Sequence, residues 1–511
     1  MMFKSLTLSS PRFSTISLSS RWIGLFAGLL LPLAFAPFHL PGIGFLSIAL
    51  LYNATLKISL SNPPKRLRAL FSLGFHYGIG FFSFGVSWVF ISIHEYGHLH
   101  PLLSALITGV FIAYLSLFPA GLAVCAGYKP WISTQKPLQS AAVFSALWVL
   151  FEALRSFLCT GFPWLLLGYS QMDSPLQSLL PCIGVFGTGF YTCFTGVCLA
   201  QYARAAKPAA WLGLFFALIF APYGLHNIHW THPDQKPLSV AIIQPNMAMR
   251  DKWDSAYFWE LMHRYEKNIQ QTLPKDLIIF PESAIPLPGN YITSTLDAWE
   301  QQSQQQHSSL LLGIPESIDS EDYAFYNTMK IIGDADGSYY KQQLVPFGEY
   351  IPHWISVFTD YIGIPNPQLR AGPKQQPLLR VANQPLASLI CYELAYDHLL
   401  RAQLPEASWI ISISDDGWFG HSLAMYQQAQ MAQVRALQTG RYHVVSNNDG
   451  LSAIINAQGQ TVQQLAAFTD GILTGNIQPM QGSTPWVQWG NLPIWILCSM
   501  ILLFWNPWRR G

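Results

Sequence analysis

Glu282, Lys341 and Cys391 supply, in chain order, a carboxylate, an amine and a thiol. Together these residue types can transfer an acyl group. A thiolate is the attacking species, so a base must take the proton, and a carboxylate can do so. Attack on a carbonyl builds an oxyanion, which an ammonium can stabilise. The same positive charge helps keep the carboxylate ionised. Each residue follows a strand-like run: Glu282 after LIIF (277–280), Cys391 after ASLI (387–390), and Lys341 after two tyrosines that succeed the turn signal Asp336 and Gly337. Strand ends line the ligand crevice in α/β sheets. Singly, each residue has a plainer reading, as a solvated strand end or a small core side chain. Cysteine positions weigh against that reading for Cys391. Cys125, Cys159, Cys182, Cys193, Cys198 and Cys498 all fall in or beside apolar runs. The polar part of the chain therefore holds one thiol with no disulfide partner, which marks it as reactive.

The elements that must position these residues are legible as apolar runs. LSVAIIQPNM (238–247), DLIIFPESAIP (276–286), SSLLLGIPE (308–316), LASLICYE (386–393) and ASWIISISDDGWFG (407–420) read as strands buried on both faces. Helical patterns at 255–273 and 425–439 separate or follow them. The expected unit is an α/β domain over 234–485 with both sheet faces covered.

The rest of the chain is a different solvent problem. Hydrophobic residues make up 51% of the 511 and charged residues 11%, against about 25% charged in a soluble domain. Crossing the hydrocarbon core takes about 20 apolar residues per helix. Eight runs qualify, near 22–37, 41–57, 70–93, 101–124, 138–158, 177–200, 209–226 and 490–507. The expected organisation is a membrane part at 1–228 with seven spans, the polar domain at 234–485, and an eighth span with a tail at 488–511. Lys4, Arg12 and Arg21, then Lys57, Lys65, Arg66 and Arg68, then Lys129 and Lys136, then Arg204 and Lys207, then Arg509 and Arg510 fall on one side of that arrangement. Positive loops face the cytoplasm, which puts both termini inside and the polar domain outside. Ala34-Phe35-Ala36 mimics a signal-peptide cleavage site, but Pro37 follows it, and an uncleaved first helix is expected. A net charge of +1 argues against nucleic-acid binding.

FPESAIP, YYKQQLVPFGEYIP, LICYELAY and SDDGWFG, in this order, resemble the nitrilase superfamily, which implies an αββα sandwich with a Glu-Lys-Cys triad. Seven spans before such a domain and one after it, with TGFPWLLLGYSQ (160–171), KWD (252–254), MAQVRAL (431–437) and SNNDGLSAII (446–455), resemble the bacterial apolipoprotein N-acyltransferase family. The resemblance implies that Glu282 is the general base, Lys341 the oxyanion stabiliser and Cys391 the nucleophile. It implies a second essential glutamate at Glu349, supporting roles for Tyr392 and Glu393, an entrance tryptophan at Trp253 and a flanking one at Trp418. Asp415-Asp416 departs from the Asn-Asp expected of relatives. The implied reaction is ping-pong, with no metal or organic cofactor. An acyl chain from the sn-1 ester of a phospholipid, typically phosphatidylethanolamine, passes through a thioester to the amine of a diacylglyceryl-cysteine on an apolipoprotein. That is the last step of lipoprotein maturation, at the inner membrane, with the catalytic domain periplasmic.

Three further features carry expectations. Ile351, Trp354, Ile355, Phe358 and Ile362 recur at helical spacing over 350–364, and such a face fits a lid dipping into the lipid interface. His94-Glu95-Tyr96-Gly97-His98 spells H-E-x-x-H, the zinc signature of an intramembrane metalloprotease. Gly97 and Pro101 point instead to a loop, which does not hold that geometry. Glu152 and Arg155 sit near the outer end of the fifth run and read as structural, or as lining a lipid route. A membrane-tethered nitrilase-type amidase shares the triad and differs in using water as the final acceptor.

Overall fold

A computed structural model of the chain describes residues 20–61, 65–128, 131–318, 324–352 and 369–504. Lys4, Arg12, Lys129, Arg509 and Arg510, and the lid positions Trp354, Ile355, Phe358 and Ile362, lie outside the described residues.

The apolar runs are helical. Pro41–Ser61, Pro101–Tyr128, Pro137–Thr160, Pro175–Gln201 and Pro208–Leu225 are each long and apolar enough to cross a membrane. Arg66–Gly85 and Val89–Tyr96 pass the same test as a pair bent by 65°. Ser20–Ala34 and Leu492–Phe504 are shorter apolar helices. The bend has a local cause. The Gln427 side chain donates through Nε2 to the Gly85 carbonyl at 3.0 Å, and the Trp88 indole donates to the same carbonyl at 3.1 Å. A side chain inserted into the helical ladder is a standard origin of a kink.

The polar part forms two sheets. The strands in chain order are β1 (Thr231–Pro233), β2 (Leu238–Gln244), β3 (Leu277–Ile279), β4 (Ser309–Ser317), β5 (Phe325–Gly333), β6 (Gly337–Tyr340), β7 (Leu369–Arg370), β8 (Leu379–Val381), β9 (Gln384–Ile390), β10 (Trp409–Ser414), β11 (His443–Asn447), β12 (Ala453–Ile455), β13 (Thr461–Gln464), β14 (Gly471–Ile477) and β15 (Met480–Gly482). One sheet runs β14-β2-β3-β4-β5-β6, with β7 beside β5, and the other runs β13-β12-β11-β10-β9-β8. The centres, β2-β3-β4 and β9-β10-β11, are parallel. That pairing suits near-continuous apolar runs covered on both faces.

Strand alternation builds the layers. Leu238, Val240 and Ile242 point inward with Leu386, Ile390, Ile411 and Ile413 of the facing sheet, forming one core. Ala241 and Ile243 point outward and meet Leu261, Tyr265 and Ile269 of helix Phe258–Thr272. On the other outer face, Ala387, Leu389 and Ile410 pack with Met431, Val434 and Ala436 of helix Ala424–Thr439. The result is helix, sheet, sheet, helix. The last layer does not stop at the domain edge, because the same apolar cluster continues into Phe144, Leu147, Leu167 and Val185 of the membrane helices. β1 pairs antiparallel with β15 and clasps the two ends of the domain. This pairing begins three residues ahead of the expected boundary at 234, and helix Pro485–Trp489 straddles the expected far boundary.

Polar side chains rivet the joint. Gln427 Oε1 accepts from the Trp164 indole at 2.6 Å and from Trp88 at 3.2 Å. Arg435, fully buried, donates to the Leu394 and Ala395 carbonyls, to Gln438 and to the Tyr169 hydroxyl. Exchanging Gln427 for Leu leaves the buried Trp164 N–H without its partner, at about 1–3 kcal/mol. Purified protein carrying Gln427→Leu should therefore melt several degrees lower, and an unchanged midpoint would contradict this role of the joint.

Candidate active site

All three candidate residues stand where a strand ends. Glu282 lies three residues past β3, Lys341 directly follows β6, and Cys391 directly follows β9. Cys391 opens the 3₁₀ turn Cys391–Ala395 with φ at +53°, and Ser283 beside the glutamate has φ at +47°. Such left-handed backbone at non-glycine residues costs about 1–3 kcal/mol and concentrates at functional sites. Gly313 on β4 makes room for the glutamate, since a Cβ there would stand 2.1 Å from the Pro281 carbonyl and 2.8 Å from Glu282 Cα.

The structure brings the three together with Glu349. Lys341 Nζ lies 3.1 Å from Glu282 Oε1 and 2.8 Å from Glu349 Oε1. Asn327 Nδ2 donates to the same two oxygens, at 2.8 and 3.2 Å. The Asp415 N–H donates to Glu282 Oε2 at 3.1 Å, and the Val345 N–H to Glu349 Oε2 at 2.8 Å. Burial alone would depress the Lys341 ammonium, but Glu282, Glu349 and the nearby Cys391 push it well above its usual value. Burial and the Glu282 charge raise the Cys391 thiol well above its usual value, against the opposing pull of Lys341 and a hydrogen bond with Ser414. The resting site is thus a neutral thiol, a fixed ammonium and a carboxylate already surrounded by donors. That arrangement can take a proton from the thiol and hold an oxyanion.

Glu393 makes a different set of contacts from Glu282, Lys341 and Cys391. Its Oε1 accepts from the Gln342 and Gln343 N–H groups at 2.6 and 3.1 Å, and its Oε2 from the Ile390 N–H at 2.8 Å. The Tyr339 hydroxyl donates to both oxygens at 3.2 Å. Burial pushes its carboxyl up to about 7, while the backbone donors pull the other way. The side chain ties the strand that ends at Cys391 to the loop that starts at Lys341. It therefore fixes the distance between thiol and ammonium.

The aromatic candidates face the membrane helices or solvent. Tyr392 donates through its hydroxyl to the Gly161 carbonyl at 3.2 Å, and Tyr396 reaches the same carbonyl at 3.3 Å. Gly161 belongs to TGFPW, whose start is itself strained, with φ at +52° in Cys159 and +79° in Thr160. Trp418 is part-exposed and stacks edge-on against Tyr96 at 5.0 Å between centroids. Trp253 is half-exposed and ends the short helix Met249–Lys252. The H-E-x-x-H segment is not the expected loop. Val89–Ile91 is helical and Ser92–Tyr96 forms a π turn. Tyr96 docks the segment by donating to the Gly417 carbonyl at 2.7 Å, while His94 Nδ1 lies 2.9 Å from the nearby Leu99 carbonyl. Glu152 and Arg155 are both buried; Glu152 accepts from the Leu167 N–H, and Arg155 donates to the Phe162 and Trp164 carbonyls. The pair staples the TGFPW segment, which favours the structural reading.

Residues 239–485 match the carbon-nitrogen hydrolase family, and residues 27–198 match the N-terminal domain of apolipoprotein N-acyltransferase. The chain is 34% identical over 492 residues to the apolipoprotein N-acyltransferase of Pseudomonas putida, covering 94% of this chain and 95% of that protein. It is 37% identical over 486 residues to that of Methylococcus capsulatus, covering 94% of each. It is 35% identical over 489 residues to that of Coxiella burnetii, covering 94% and 98%. The chain belongs to the apolipoprotein N-acyltransferase family.

Within that family framework, two residues of the site escaped the sequence. Asn327 bonds both glutamates, and its one signal is an amide at an inward position of the strand FYNTMK. Lys252 was visible only as part of KWD, yet it is buried and reaches Asp415 and the Glu282 carbonyl. The role of Glu393 yields a direct test. In Glu393→Gln the amide nitrogen must oppose a backbone N–H, at about 1–3 kcal/mol. The Cys391–Lys341 spacing then loosens, and a misplacement near 1 Å costs about 100-fold in rate. Single-turnover release of lysophospholipid should fall on that scale, and a rate within twofold of the parent protein would contradict the spacer role.

Proposed function

We propose that the chain N-acylates lipoproteins by a ping-pong reaction through a thioester on Cys391, with Glu282 as general base and Lys341 at the oxyanion. The observation that carries this reading is the Lys341 ammonium, shared at 3.1 and 2.8 Å by a buried and a part-buried carboxylate beside a thiol held neutral. Cys391 Sγ attacks the sn-1 ester carbonyl of a phospholipid while its proton passes to Glu282. The tetrahedral oxyanion faces Lys341. Collapse breaks the ester C–O bond, and the departing alkoxide takes the proton from Glu282 as lysophospholipid leaves. The α-amine of a diacylglyceryl-cysteine then attacks the thioester, gives its proton to Glu282, and releases Cys391, which is reprotonated. The amide is the product, and neither step needs a redox partner. Phosphatidylethanolamine is the proposed donor and a diacylated apolipoprotein the proposed acceptor.

Glu349 and Asn327 hold the charge balance around Lys341, and Glu393 sets its distance to the thiol. Tyr392 links the nucleophile's turn to the membrane part, and Trp253 and Trp418 border the approach to the site. The apolar helices and the alternation of basic loops support eight spans in the inner membrane. In that arrangement both termini are cytoplasmic and residues 234–485 face the periplasm. The parts are the membrane part at 1–228, the catalytic domain, and the last span with its tail at 488–511.

Protein incubated with phosphatidylethanolamine vesicles and analysed by mass spectrometry should carry one acyl group on Cys391. Hydroxylamine should release it, and Cys391→Ala should not acquire it. An acylated protein whose adduct survives Cys391→Ala would overturn the mechanism. Release of free fatty acid at a steady rate would favour the amidase-type alternative, in which water is the acceptor.

A further inference from the structure

Lys252 and Lys341 are the two fully buried lysines among the described residues, and both converge on Glu282. Lys341 meets the carboxylate. Lys252 approaches from behind, donating to the Glu282 backbone carbonyl at 3.0 Å and pairing with Asp415 Oδ2 at 2.5 Å. Asp415 closes the circuit, because its own N–H donates to Glu282 Oε2 at 3.1 Å. The other oxygen of Asp415 accepts from Asn448 Nδ2 and the Gly417 N–H, at 3.1 and 3.3 Å. Both oxygens of this carboxylate are therefore engaged, and both partners of the pair are 2% exposed. Trp253, half-exposed, is the next residue after Lys252.

We propose that Lys252 and Asp415 are a positioning pair that orients Glu282 for proton transfer and fastens the loop bearing Trp253 to it. The pair acts through Glu282, so the inference rests on the assignment of Glu282 as the base. Electrostatics gives it a second consequence. Asp415 lies among Glu282, Asp416 and Asp449, with Tyr96 and Tyr265 also within its field. Burial, reinforced by Asp415, pushes the Asp416 carboxyl up to about 7 and the Asp449 carboxyl up to about 8. Lys252 is the cation paired with Asp415 in this acidic group, while Lys341 serves Glu282 and Glu349 on the opposite side. Without Lys252, the Asp415 charge opposes the charge that Glu282 must carry to act as base. The rate should then fall first on the acid side.

The test is thioester formation on Cys391 from phosphatidylethanolamine vesicles, followed across pH 5 to 9 in the full-length protein. Lys252→Met should slow the step about 100-fold, as loss of positioning does, and move the acid limb of the profile upward. Asp415→Asn keeps the bonds from Asn448 and Gly417 but turns its amide nitrogen toward the Lys252 ammonium and leaves that charge unpaired, so it should itself slow the step about tenfold. The double variant Lys252→Met/Asp415→Asn should recover at least tenfold over Lys252→Met and return the acid limb to its original place. A Lys252→Met rate within threefold of the parent at every pH would overturn the proposal, as would a double variant no faster than Lys252→Met. If Lys252→Met does not fold, the double variant is compared with the parent: about a tenfold deficit with the same acid limb supports the clamp, and an equal rate refutes it. Absence of any Cys391 thioester in the parent protein would instead sink the assignment of the base, which separates the two failures.

Discussion

One buried ammonium organises the catalytic domain. Lys341 sits between Glu282 and Glu349 with 1% of its side chain exposed. Isolated there it would be costly, and removing one partner of a buried ion pair costs about 3–5 kcal/mol. Two carboxylates more than compensate its charge and leave the cluster with a formal excess of one negative charge. Burial and the Glu282 charge together raise the Cys391 thiol. The cluster draws on three strand ends from two sheets. The sandwich supplies them: β3 and β6 from one sheet, β9 from the other, locked by Glu393 across the gap.

The same arrangement explains why the domain is fused to membrane helices rather than tethered by a linker. The outer helix layer of the sandwich and the membrane helices share one apolar cluster. The turn that presents Cys391 is bonded on its far side by Arg435, which also holds Tyr169 of the membrane part. Tyr392 and Tyr396 meet the strained TGFPW segment through Gly161. A thiol held this way is fixed relative to the helices, and so relative to the lipid that those helices border. The hinge-free joint suits a donor and an acceptor that both reside in the bilayer.

Much of this was legible in the sequence, for identifiable reasons. The strands announced themselves because parallel strands buried on both faces read as continuous apolar runs. Glu282, Lys341 and Cys391 were legible because each ends such a run, and the apolar helices because lipid tolerates few charges. The supporting contacts were not legible. Glu393 binds residues about 50 positions away in the chain, and no local pattern encodes that closure. The H-E-x-x-H segment read as a loop because Gly97 and Pro101 are breakers, yet contacts to Gly417 and Trp418 accompany a π turn there. Asp415 stood out only as a departure from the expected Asn, and its pairing with Lys252, 163 residues earlier, is a product of the fold.

The most direct test of the ammonium-centred mechanism is the amount of lysophospholipid released per protein molecule when phospholipid is supplied without any amine acceptor. A thioester that forms beside Lys341 and waits for an amine predicts release that stops at one equivalent, and none at all in Lys341→Met. Sustained release without an acceptor, or a full equivalent from Lys341→Met, would contradict it.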